Sequence, residues 1–148
     1  MPPAKRLSPR HVVERQLAAI AQRDWAGMAA LYAADAVVEL PFNLPAPLRL
    51  EGRQQLEARN AAARQLPLEL RPANVVVHET TDPEVVVAEF DYHARVTTTG
   101  RTFSVPNVII MRVRDGKIVA SRDYHHHAAI DDALGELAEL IRSGPAST

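Results

Sequence analysis

The chain has 148 residues, 47% hydrophobic and 24% charged, with a formal net charge of -1. That length suits one domain with a real core, and the near-neutral balance gives no electrostatic case for nucleic acid or anionic lipid. The lack of cysteine excludes disulfides, thiolate catalysis and cysteine-ligated metal centres, and no apolar run approaches the roughly 18 to 20 residues of a membrane span.

Residues 1–9 hold basic residues and adjacent prolines with no apolar run behind them, so no secretory leader is expected and a cytoplasmic location is the default. Ser8 and Pro9 open a first helix as N-cap and first helical residue. Val12, Val13, Leu17 and Ile20 supply its apolar stripe. Asp24 caps a second, short helix carrying Trp25, Met28, Leu31 and Tyr32 at helical spacing. Ala36 to Leu40 reads as a strand, and the prolines between Pro41 and Pro47 mark a loop. A third helix runs from about Arg53 to Gln65.

From Leu68 the period shifts to two. Leu68–Glu79, Glu84–Thr97, Arg101–Arg114 and Lys117–His127 are rich in Val, Ile, Thr and aromatics, and turn signals at Asp82-Pro83, Thr99-Gly100 and Asp115-Gly116 separate them. They predict a four-stranded antiparallel meander. A last helix, about Ala128 to Ile141, precedes a terminal Ser-Gly-Pro-Ala-Ser-Thr expected to fray. The whole, residues 1–148 with a core of about 10–142, is a single α+β domain. A curved antiparallel sheet wraps on the N-terminal helices as a cone-shaped barrel with a central cavity.

The segment Asp24-Trp25-Ala26-Gly27 through Leu31-Tyr32-Ala33-Ala34-Asp35-Ala36-Val37, the Glu51-Gly52-Arg53 step and the run Val105 to Tyr124 together resemble the SnoaL-like and ketosteroid isomerase-like proteins of the nuclear transport factor 2-like superfamily. The resemblance covers about residues 10–128. It implies an enclosed pocket for a small apolar ligand, no cofactor, no metal, and a homodimer formed through the sheet. The fold hosts isomerases, cyclases, dehydratases, epoxide hydrolases and non-enzymes, so it does not name a reaction. The residues of true ketosteroid isomerases are missing: Leu40 falls on the catalytic aspartate, Gln16 on the first-helix tyrosine and Ile109 near the protonated aspartate. The late-strand carboxylate of the polyketide cyclases falls nearest to His126.

Chemistry then rests on the protonatable residues of two strands. Alternation puts Glu89, Asp91, His93 and Arg95 on one face of their strand and Phe90, Tyr92 and Ala94 on the other. As a half-exposed strand this leaves Glu89, Asp91 and His93 in solvent. The resemblance instead turns them into the cavity and gives the apolar even face to a second subunit. In the last strand Asp123, His125 and His127 share a face. A carboxylate beside an imidazole fixes its tautomer and raises its basicity, which suits general acid–base work.

The expected catalytic set is therefore Asp91, His93, Asp123, His125 and His126, with Glu89, Asn107, Asn60, Phe42, Tyr32, Trp25 and Leu40 binding substrate. The expected activity is a cofactor-independent isomerase, cyclase or dehydratase acting on a small apolar carbonyl or hydroxyl compound. Two alternatives stand beside it: a non-catalytic ligand-binding or dimerisation module, and an epoxide hydrolase-like Asp91, Arg95, Asp123 arrangement that activates water. His125 and His127 with His93 or Asp123 could also surround a metal, but no zinc motif accompanies them.

Overall fold

The computed structural model describes residues 6–135. Expectations for residues 1–5, for the last helix beyond 135 and for the terminal tail lie outside the described residues. Helix α1 (Pro9–Ala21) begins as expected, with the Ser8 hydroxyl accepting from the His11 amide and proline in the first turn. Helix α2 (Trp25–Ala29) is capped by Asp24, which accepts from the Gly27 amide at 2.9 Å. A Cβ on Gly27 would stand 2.1 Å from that carboxylate, so the cap requires glycine. The helix is shorter than the Trp25–Tyr32 spacing suggests. Tyr32 instead opens strand β1 (Tyr32–Leu40).

A short strand β2 (Leu48–Glu51), hidden in the sequence behind the prolines, pairs antiparallel with β1 through Leu40 and Leu48. Helix α3 (Arg53–Arg64) and strands β3 (Leu68–Glu79), β4 (Val85–Val96), β5 (Thr102–Arg114) and β6 (Lys117–His125) follow. Helix α4 (His127–Leu134) ends the described chain. The β5–β6 turn has Asp115 at φ 53° and Gly116 at φ 77°, the left-handed pair that a tight hairpin demands.

The sheet order is β2-β1-β6-β5-β4-β3. The meander from β3 to β6 is antiparallel, while β1 joins β6 parallel, Val38 opposite Ser121. The result is an α+β domain in which a curved, unclosed six-stranded sheet carries the helices on its inner face. Helix α1 lies across β3, β4 and β5, and α3 lies against β1 and β2. Among the described residues no helix is long and apolar enough to cross a membrane.

Register decides which side chains meet. Phe90 stands opposite Asn107, Tyr92 opposite Val105, Ile109 opposite Asp123 and Asn107 opposite His125. The even residues of β4 therefore share the inner face with the odd residues of β5 and β6. This corrects the orientation expected from the resemblance. Val86, Ala88, Phe90, Tyr92 and Ala94 are buried under the protein's own helices, so that face is not left for a second subunit.

Ile118 is fully buried at the β1–β6 junction, and its amide donates to the Leu31 carbonyl at 2.9 Å. Ile118→Ala is expected to destabilise the fold by about 2–4 kcal/mol through cavity formation, read as a lower urea midpoint with an unchanged slope.

Candidate active site

A cavity of about 400 Å³ lies between the helices and the inner face of the sheet. Its walls are mostly apolar: Ile20, Met28, Val38, Leu50, Leu56, Leu70, Ile109 and Leu134. Polar groups reach it from several directions: Gln16 from α1, Tyr32 from β1, Arg59 and Asn60 from α3, Tyr92 from β4, Asp123 and His125 from β6, and His127 from α4. Such a few convergent polar groups in an apolar hollow fit a small-molecule site.

Asp123 is buried, 8% exposed, and the only hydrogen bond to its carboxylate among the described residues comes from the Ser121 hydroxyl two residues earlier on the same strand face. Burial pushes its pKa up from 3.8 to about 6, with the Ser121 bond and the Arg59 charge pulling weakly the other way. At neutral pH the carboxylate is mostly ionised, yet far more basic than an exposed one.

His125 is oriented by Asn107. The Asn107 amide nitrogen donates to the Val105 carbonyl at 3.1 Å, so its oxygen is the atom 2.7 Å from His125 Nδ1. Nδ1 must then carry the proton, and Nε2 keeps its lone pair. Burial, helped by the Arg59 charge, lowers the His125 pKa to about 4. His127 stacks edge-on against it, with ring centroids 5.8 Å apart, and is likewise lowered to about 4, by burial first and then by its neighbours. Both rings are neutral at pH 7.

The phenols complete the set. Tyr32 accepts from Gln16 Nε2 at 2.7 Å, which leaves its own proton free to donate. Tyr92 makes no hydrogen bond among the described residues and lies 6.0 Å from the His125 ring, centroid to centroid. Burial, reinforced by Asp123, raises both phenol pKa values well above the ordinary 10.0. The cavity thus brings together a basic carboxylate, Asp123, with neutral imidazoles and neutral phenol donors, and Arg59 and Asp131 also line it.

Several expected site residues lie elsewhere. Glu89, Asp91 and His93 project from the outer face. Glu89 meets His78 at 2.6 Å, Asp91 accepts from Asn74 at 2.9 Å, and His93 lines a wide surface groove of about 930 Å³ beside Arg71 and Arg95. That placement dissolves the Asp91, Arg95, Asp123 water-activating arrangement, and it removes His93 from any metal set with His125. His126 alternates out of the cavity and occupies the N-cap position of α4. Phe42 is 60% exposed, packed edge-on to Tyr124 at 5.3 Å, while the neighbouring Asn43, Leu44 and Pro45 line the cavity instead. Asp123, His125, Asn60, Tyr32, Trp25 and Leu40 do line it, and Asn107 stands behind His125.

Arg59, Ser121 and Tyr92 carry weaker sequence signals. Tyr92 belongs to an apolar strand face that reads as core. Arg59 is found by helical period alone: Leu56, Asn60 and Ala63 trace the inward stripe of α3, and Arg59 lies beside it.

A family profile described as a SnoaL-like domain matches residues 13–121. An uncharacterised PhzA/B-like protein of Pseudomonas aeruginosa is 28% identical over 143 residues, covering 93% of this chain and 99% of its own length. Among solved structures, a provisionally named isomerase from Bacillus subtilis superposes with a TM-score of 0.79 at 24% identity, over 86% of this chain and 92% of its own. A provisionally named polyketide cyclase from Pseudomonas putida gives 0.75 at 19% identity, over 87% and 99%. At these identities the two structures speak to the fold.

The Asp123 burial has a thermodynamic signature. Its folded pKa lies above its ordinary value, so the fold is penalised increasingly as pH rises from 3.8 to about 6, and fully above that. Asp123→Asn is therefore expected to stabilise the protein by about 1–3 kcal/mol near pH 7.5 and by almost nothing near pH 4. His125 acts with the opposite sign: its depressed pKa weakens the fold as pH falls from 6.5 toward about 4, and His125→Gln should lessen that loss. Denaturant titrations at both ends of the range check each sign.

Proposed function

This chain belongs to the SnoaL-like domain family, and from that premise we propose that its cavity is the active site of a cofactor-free acid–base enzyme of the isomerase or cyclase type. The observation that carries this reading is Asp123: a carboxylate buried in an apolar hollow, without an ion-pair partner among the described residues and held by one hydroxyl. A structural carboxylate is normally paired or richly hydrogen-bonded. One left this bare is tuned as a base.

In the proposed reaction Asp123 removes a proton from carbon next to a carbonyl. The developing oxyanion is stabilised by the Tyr92 and Tyr32 hydroxyls, which are neutral donors in a poorly solvated site. His125 offers an unprotonated Nε2, so it accepts a hydrogen bond or relays the proton toward a second carbon or oxygen. Asn107 holds the ring in that tautomer and is a positioning residue. Whether the proton returns to another carbon, the enolate attacks an internal carbonyl or a hydroxyl leaves depends on the substrate, which is a small carbonyl or hydroxyl compound.

Exchange of α-protons in deuterium oxide, followed by NMR for a set of enolisable ketones and keto acids, tests the reading. Exchange should rise with pH through about 6, as Asp123 ionises. Asp123→Asn should cut it by about 100-fold or more, and Asp91→Asn on the outer face should leave it unchanged. Equal exchange in Asp123→Asn and the parent protein would reduce the cavity to a non-catalytic binding site.

A further inference from the structure

Arg59 is the unexplained charge of this cavity. It reaches the lining from α3, largely buried, and makes no hydrogen bond or ion pair with any described residue. Asp123 is felt electrostatically but lies outside ion-pair distance. The same wall carries further idle donors. Asn60 Nδ2, next to Arg59 on α3, and Trp25 Nε1, on α2, are both buried with no partner. A buried donor left unsatisfied costs about 1–3 kcal/mol, and more when it is charged, so a wall holding this group of them is built to meet an acceptor that arrives from outside.

We propose that the cavity binds a small apolar monocarboxylate, with the Arg59 guanidinium as its counter-ion and Asn60 as the neighbouring donor. The planar fork of a guanidinium matches a carboxylate bidentately, and such pairs are the strong ones in a dry site. The guanidinium offers one fork for one carboxylate, and with the Asp123 and Asp131 carboxyl groups also in the lining the cavity disfavours a ligand of higher negative charge such as phosphate. The remaining walls, Ile20, Met28, Leu56, Leu70 and Leu134, accept a hydrocarbon body. This inference rests on the acid–base reading for its chemistry and extends it: the carboxylate anchors one end of the substrate on α3, so that the carbon to be deprotonated lies toward β6 and Asp123. The anchored charge also makes Asp123 a stronger base, because a second anion in the hollow opposes its ionisation.

Calorimetric titration with 2-naphthoate and its neutral amide, 2-naphthamide, separates the charge from the shape. The intact protein should bind the acid at least about tenfold more tightly than the amide. Arg59→Gln should abolish that preference while binding the amide as before, which also reports that the variant is folded. Arg59→Lys, which keeps the charge and loses the fork, should keep only part of it. No preference in the intact protein, a preference that survives in Arg59→Gln, or no binding of the acid up to about 1 mM, too weak for a buried charge pair, would each overturn the proposal. Binding is read without turnover, so such a result leaves the Asp123 reading standing. Loss of α-proton exchange dependence on Asp123 with the carboxylate preference intact does the reverse.

Discussion

A carboxylate enclosed with a single hydroxyl for company sets the terms for the rest of this molecule. Asp123 cannot be solvated by its own surroundings, since Ile109 stands opposite it and apolar side chains fill most of the cavity wall. The sheet nevertheless forces it inward: after a register shift between Ile118 and Ala120, β6 alternates from Ser121 onward, and with Ser121 on the inner face Asp123 follows it there. Everything polar nearby can be understood as living with that charge. Phenols beside it stay protonated, imidazoles stay neutral under burial and the Arg59 charge, and the arginine across the hollow makes no ion pair among the described residues.

The two histidines show how the same hollow treats opposite chemistries alike. Desolvation penalises whichever form bears charge, so the carboxylate gains basicity while the imidazoles lose it. In the reaction we propose, their roles therefore invert from the expectation that histidine moves the proton and aspartate merely orients it. Orientation of His125 falls to a neutral amide, Asn107, itself pinned to the Val105 carbonyl.

Much of the scaffold was legible because its signals are local. The Ser8 and Asp24 caps, the Asp115-Gly116 turn and the period-two strands each act within a few residues. The site was legible only in part. The odd face of β6 was read correctly as one surface, but the facing of β4 depends on its register with β5, which alternation alone leaves two-fold ambiguous. The simple reading of β4 as a half-exposed strand was the physically sound one, and the resemblance misdirected it. At two positions where the residues of ketosteroid isomerases are missing, a group of that type stands beside them in space: Asp123 pairs across from Ile109, and Gln16 donates to the Tyr32 phenol presented from β1. Neither neighbour can be seen in a linear comparison, since both cross between elements.

The parallel seam between β1 and β6 carries a kinetic implication. The hairpins from β3 to β6 join neighbours in the chain, whereas Val37 meets Ala120 only after more than half of the polypeptide has been looped back. Closing so long a loop is entropically slow compared with zipping a hairpin. The meander can therefore assemble while β6 still presents an unpaired edge, and the hollow exists only once the N-terminal third has docked. Until then a bare strand edge is open to pairing with another chain, which makes the arrival of β1 the step that guards newly made protein against self-association.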